Sequence, residues 1–148
     1  MKTLNIKHLI SLLVMSLILT IGQGQEESAS SDLIGTWIID NTATMEATPQ
    51  ENMEQLELFP EIKEQIMASY IGRILNFNAD GTFSQSLADG TGISGIWQVS
   101  NNILLLTTED GSSQQQEFSI LVNGSLLLSI PDQEQSRHLV PNQYFIKQ

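Results

Sequence analysis

From Ile71 to Pro131 the chain alternates short apolar runs with two-residue polar turn signals. The signals are Asp80-Gly81, Asp89-Gly90, Asn101-Asn102, Asp110-Gly111 and Asn123-Gly124, spaced about nine to thirteen residues apart. Asp-Gly and Asn-Gly favour tight hairpins, because a type I′ turn needs positive φ at both central residues. Hairpins on that rhythm mark an all-β sandwich or barrel. The pattern predicts strands at about Ile71–Asn78, Thr82–Ala88, Ile93–Ser100, Ile103–Thr108, Ser113–Val122, Ser125–Ile130 and Gln133–Val140.

Leu33–Asp40 precedes these as a first strand. Its period-two repeat puts Gly35, Trp37 and Ile39 on one face and Ile34, Thr36 and Ile38 on the other. Leu75 and Phe77 alternate cleanly with Asn76 and Asn78, whereas Ile103–Leu106 and Leu126–Leu128 are apolar on both faces. For those two strands, register alone decides which side turns inward. Gly92 and Gly95 predict a bulge or bend in the fourth strand. Tyr144-Phe145-Ile146 reads as a short edge strand or as a cover over one barrel end. Eight strands suffice to close a barrel that holds side chains or one small ligand, and closure removes edges that invite aggregation.

Between the first two strands the rhythm changes. Thr48-Pro49-Gln50-Glu51 predicts a helix start, with Thr48 as N-cap, Pro49 at N1 and Glu51 closing a capping box. Met53 and Leu56 then share one side of a short helix. Pro60 cannot continue that helix and starts a second, in which Ile62, Ile66 and Tyr70 recur every four residues beside Phe59 and Met67. Glu51, Glu54, Glu57, Glu61 and Glu64 form a solvated rim. The expected fold is therefore all-β: an eight-stranded antiparallel up-and-down barrel with a short two-helix insert between strands 1 and 2.

The N-terminus changes the picture of where this barrel works. Lys2, Lys7 and His8 precede a thirteen-residue apolar run, Leu9 to Ile21, and Gly22 and Gly24 supply the small residues of a cleavage site before Gln25. Spanning a bilayer takes about 20 apolar residues, so the run reads as a cleaved signal peptide, residues 1–24, and not as a membrane anchor. Residues 25–32 follow as a polar mobile leader, and 33–148 form the barrel domain. The chain has no cysteine to carry a lipid anchor. The expected location is secreted or periplasmic, with no stable membrane insertion after cleavage.

Cleavage would leave four basic residues, Lys63, Arg73, Arg137 and Lys147, against 17 acidic ones. That balance opposes nucleic acid and anionic membrane surfaces, whose attraction depends on Lys and Arg. Without disulfides the domain depends on its core, and about 124 residues suffice for one.

Gly35-Thr36-Trp37 resembles the Gly-x-Trp strand of the calycin group, the lipocalins and fatty-acid-binding proteins. Phe77-Asn78-Ala79-Asp80-Gly81-Thr82-Phe83 followed by Gly95-Ile96-Trp97 resembles small exported lipocalin-like domains of bacteria. The likeness runs from about Leu33 to Val140. It implies an up-and-down barrel open at one end, with the helices placed as fatty-acid-binding proteins place a portal lid. Those proteins, however, have ten strands and are intracellular. The resemblance makes Gly35, Trp37, Gly95 and Trp97 structural motif residues.

Candidate ligand contacts follow. In lipocalins an arginine near the barrel's end packs over the Gly-x-Trp tryptophan, which carries over to Arg137 on Trp37. In fatty-acid-binding proteins an Arg-x-Tyr of the final strand binds the ligand carboxylate, but His138 and Leu139 follow Arg137 here. Arg73 shares a face with Ile71, Leu75 and Phe77, either as a rim residue snorkelling to water or as an inward cation for an acidic head group. Phe59, Ile62, Ile66, Met67 and Tyr70 line a ligand portal or plug one end.

Metal and catalytic chemistry is poorly provided for. One histidine, His138, remains after cleavage, too few for a histidine-rich metal site. Asp80, Asp89 and Asp110 lack the spacing of a calcium loop, and no Gly-x-Ser-x-Gly elbow is present. No cofactor motif and no catalytic residue stand out, so the chain reads as a non-enzyme. The expected function is an exported lipocalin-like protein binding a small apolar ligand, lipid or fatty-acid-like, in the barrel cavity. The alternative is a filled-barrel interaction or inhibitor module.

Overall fold

The computed structural model describes residues 30–131 and 138–148. Eight strands form a closed antiparallel barrel in sequence order: β1 (Gly35–Ile39), β2 (Ile74–Phe77), β3 (Thr82–Ser86), β4 (Gly92–Ser100), β5 (Ile103–Thr108), β6 (Ser113–Ile120), β7 (Leu126–Ser129) and β8 (Asn142–Lys147). Closure is made by β8, which pairs with β7 on one side and with β1 on the other. The closing strand is therefore not the expected Gln133–Val140. Residues 132–137 of that segment lie outside the described residues, and 138–140 are irregular. The physical reason is alternation: Gln143 and Phe145 present a continuous buried face, whereas Gln133–His138 contains no apolar residue to bury.

Four of the five hairpin turns share one geometry, and it is not type I′. At Asn78–Thr82, the Gly81 N–H bonds the Asn78 carbonyl at 3.1 Å and the Asn78 N–H bonds the Thr82 carbonyl at 2.9 Å. The same pair of bonds recurs around Gly90, Gly111 and Gly124. Only the glycines take positive φ, 81–85°, so these are three-residue loops ending in a left-handed glycine. The preceding Asp or Asn keeps negative φ because its side chain is engaged. Asp80, Asp89 and Asp110 each accept from the backbone N–H two residues on, at 2.9 Å. Hydrogen bonds from the hydroxyls of Thr82, Thr91 and Thr108, and then these backbone bonds, hold the three carboxyls below the usual carboxylate range.

Register settles the ambiguous faces. The pairs Trp37↔Leu75, Phe77↔Phe83, Trp97↔Leu106, Leu104↔Gln116, Phe118↔Leu128 and Leu126↔Phe145 align all of these inward. Leu104, Leu106, Leu126 and Leu128 are buried, while Ile103, Leu105 and Leu127 face outward and stay half-exposed. The fourth strand carries no break in register on either side. Its glycines serve close approach instead: a Cβ on Gly95 would run into the Thr107 carbonyl, and one on Gly92 would meet the Gln85 carbonyl at 2.5 Å.

The insert holds three helices, α1 (Asn41–Glu46), α2 (Gln50–Leu58) and α3 (Pro60–Tyr70). The unexpected α1 begins because Asp40 accepts from the Ala43 N–H at 3.0 Å, where an Asp closing a strand and an Asp capping a helix look alike in sequence. The capping box at Thr48 does not form. Pro49 is the N-cap, and the Thr48 hydroxyl donates back to the Thr44 carbonyl at 3.0 Å.

Thr44 fastens α1 to the barrel. It is fully buried, and its hydroxyl accepts from the Tyr144 N–H of β8 at 3.0 Å. Thr44→Val would keep the shape and orphan that N–H, so a loss of about 1–3 kcal/mol is expected in urea unfolding. A neutral substitution would show that α1 is not anchored there. Of α2 only Leu56 is buried, and α3 buries no residue fully.

The expected signal peptide, residues 1–24, and residues 25–29 of the expected leader lie outside the described residues, and 30–33 form a helical turn. Leu33 is fully buried, and its carbonyl accepts from the Trp37 indole N–H at 2.7 Å.

Candidate functional site

The barrel interior changes character along its axis. One end carries Leu33, the turns at Asn78–Thr82, Asn101–Asn102 and Leu121–Ser125 and the C-terminus; the other carries the helices and the Leu87–Thr91 and Thr108–Ser112 turns. At the first end, Trp37, Phe77, Trp97, Phe118 and Phe145 interlock as a plug. Phe77 and Trp97 meet edge to face at 5.4 Å and 67°, a favoured aromatic geometry. Lys147 places its ammonium 5.0 Å above the Trp37 ring and donates to the Asp32 carbonyl at 3.1 Å. Gly35, at φ +134°, lets the Lys147 stem pass, since a Cβ there would stand 3.0 Å from its Cε. The cation over the Gly-x-Trp tryptophan is thus Lys147, and Arg137 lies outside the described residues.

At the helix end the barrel opens into a cavity of about 680 Å³. Its floor is Leu75, Phe83, Leu106 and Leu128, and no plug aromatic from Trp37, Phe77, Trp97, Phe118 or Phe145 reaches it. The walls carry four amides, Gln85 from β3, Gln114 and Gln116 from β6, and Gln143 from β8, beside the buried aliphatic side chains of Ile130 and Val140. Gln116 and Gln143 are each only 5% exposed. At the mouth stand Ile93, Ser94, Glu109, Asp110 and His138.

Arg73 and Tyr70 close the upper wall. Position 73 continues the inward face of Leu75 and Phe77, which turns the guanidinium into the barrel end. Its Nη1 donates to Gln143 Oε1 at 2.8 Å and its Nη2 to the Ser69 carbonyl at 2.8 Å. The guanidinium carbon lies 4.5 Å over the Tyr70 ring, while Nε is buried without a hydrogen-bond partner among the described residues. Burial lowers the Arg73 pKa, against the raising effect of Tyr70, and burial raises the Tyr70 pKa, against the lowering effect of Arg73. No carboxylate pairs with Arg73 among the described residues, where the ion pair present is Lys63–Glu57 at 3.8 Å on the helix surface.

Of the residues singled out from sequence, the structure brings Tyr70 and Arg73 together at the cavity. Ile66 and Met67 sit half-buried on α3, and Phe59 and Ile62 are 57% and 47% exposed, all four off the cavity lining. Gly35, Trp37, Gly95 and Trp97 occupy β1 and β4, with Trp97 donating from its indole to the Asn78 carbonyl at 3.1 Å. The four glutamines were not foreseen. Gln114, Gln115, Gln116 and Glu117 are polar on both faces, so alternation offers no inward side, and only the pairing Leu104↔Gln116 assigns one. Among the described residues no group of three or more His, Asp or Glu side chains is placed to hold a metal. Compared with known proteins, the chain matches no family model, no curated protein and no solved structure.

Proposed function

We propose that this chain is an exported, non-catalytic carrier of the lipocalin-like type, holding one small molecule in the open half of its barrel. The observation that carries the reading is the division of the interior. An aromatic plug packs one end of the barrel, while the other end stays open above a floor of core side chains. A volume of about 680 Å³ suits one small organic molecule, and eight-stranded barrels are just wide enough to hold one. The apolar N-terminal run and the calycin-like motif order support the same reading from sequence.

Native mass spectrometry of the protein purified without detergent tests it. A small-molecule adduct that is lost on collisional activation is expected. A bare mass, with no rise in melting temperature from lipids, small acids or apolar dyes, would sink the carrier reading. The second reading, an interaction module, is favoured by Leu58, Phe59, Ile62 and Ile71, which are 47–74% exposed around α2 and α3. It predicts a protein partner and no adduct.

A further inference from the structure

We propose that the cavity selects a compact, polar carboxylate whose outer end is neutral or cationic, held by the Arg73 fork and the glutamine walls, and not an alkyl-chain lipid. This rests on the carrier reading above and specifies its ligand.

Arg73 is one of two arginines in the chain, and the fold spends it at the cavity wall with no carboxylate partner among the described residues. Two of its N–H groups are used, on Gln143 and the Ser69 carbonyl. A buried cation so placed is stabilised most by an anion, and a guanidinium matches a carboxylate in a planar two-point contact.

Gln143 adds to this. Its Oε1 is taken by Arg73, so its amide nitrogen is left with two donors. The side-chain amides of Gln85, Gln114 and Gln116 make no hydrogen bond to another described residue, although all three line the cavity. Gln116 is buried, Gln85 half-buried and Gln114 exposed; covering such amides without giving them partners is unfavourable, and an alkyl chain would cover them so. Hydroxyl, amino and carboxyl groups would satisfy them, because an amide both donates and accepts.

Depth points the same way. The floor at Leu75, Phe83, Leu106 and Leu128 stops the cavity halfway down the barrel, above the aromatic plug. A hydrocarbon tail that reached past this floor would meet the plug.

The rim sets the outer end. Glu109 accepts from the Ser94 hydroxyl at 2.7 Å, and Asp110 is kept ionised by the Thr108 hydroxyl and the Ser112 N–H. Two carboxylates at the mouth repel a second negative charge on the ligand and tolerate a hydroxyl or an ammonium.

The test is a titration followed in ¹H–¹⁵N spectra, where side-chain amide resonances of Gln85 and Gln116 report on the cavity. Four probes are used: gluconate, γ-aminobutyrate, glutarate and dodecanoate. Gluconate and γ-aminobutyrate are expected to shift those resonances, with glutarate at least about tenfold weaker. Arg73→Gln should weaken the two by at least about thirtyfold, with its thermal unfolding recorded to show that it is folded. Gln116→Leu, which leaves Arg73 in place, should also weaken gluconate.

Binding of gluconate and γ-aminobutyrate that Arg73→Gln leaves unchanged overturns the proposal, as does the absence of any cavity shift with both. So does a cavity shift with dodecanoate alone, but that result keeps the carrier reading. No shift with any probe, together with a bare native mass, removes both.

Discussion

Replacing Trp37 with alanine is expected to remove about 3–5 kcal/mol of folding stability, the range for emptying a large aromatic site in a core. Trp37 is 1% exposed and sits in the aromatic plug with Phe77, Trp97 and Phe145 around it. Its loss opens a void that β1 cannot collapse into, because β1 is held between β2 and β8 by two ladders. It also removes the indole N–H from the Leu33 carbonyl, so the N-terminal turn loses its attachment. A domain of ordinary stability has about 5–15 kcal/mol in all, which would leave the variant close to unfolding at physiological temperature.

Two companions separate the contributions. Trp37→Phe keeps most of the packing and drops the hydrogen bond, with a loss of about 1–2 kcal/mol expected. Lys147→Met keeps a stem over the ring and drops the charge, for less than about 1 kcal/mol. Chemical unfolding of the three variants checks the order. A Trp37→Ala loss below about 1 kcal/mol would show that the plug is not the core. Trp37 does not line the cavity, so the folded fraction of each variant should keep its binding.

Gly95→Ala is the second large effect, expected at about 3 kcal/mol, the upper range for forcing extra atoms into a packed interior. The added Cβ would overlap the Thr107 carbonyl and stand 2.8 Å from the Thr108 Cα. Both are backbone atoms, so no side chain can swing aside. The strain falls where β4 and β5 pair through Gly95↔Thr108, beside a cavity wall to which Ser94 and Thr108 contribute. Stability and small-molecule binding should therefore fall together, in contrast to the Trp37 series. An alanine variant with wild-type melting temperature would show that the two strands can separate freely there. Ser119→Ala, on an exposed position of β6, is the matched control and should change stability by less than about 0.5 kcal/mol.

Much of the fold was written in local chemistry. Strand positions followed from period-two alternation and from Asp-Gly and Asn-Gly pairs, and Ile103–Thr108 was placed to the residue. Even so, the turn type was misread, because an Asp side chain that accepts from the backbone two residues on keeps its own φ negative. The helix start at Pro60 was legible from the proline constraint itself, whereas the helix expected to begin at Pro49 begins at Gln50, with Pro49 as its cap. The start at Asp40 was not, since its side chain can end a strand or cap a helix equally well.

The candidate site was legible at Tyr70 and Arg73 and nowhere on its amide walls. A glutamine in a strand of glutamines has no inward direction until a neighbour is chosen. Gln114 and Gln116 turn inward because β6 pairs with Leu106 and Leu104, and a slip of one residue would have sent Gln115 and Glu117 there instead.

Local sequence thus settles where the first seven strands run and where most of them turn, because those depend on residues a few positions apart. Barrel closure decides the rest. It selected Asn142–Lys147 as the eighth strand, laid Lys147 over Trp37 across a gap of more than a hundred residues, and separated an aromatic half from one that mixes amides with aliphatic side chains. Each of these depends on which strands meet, and pairing over such distances is specified by the fit of the whole interior.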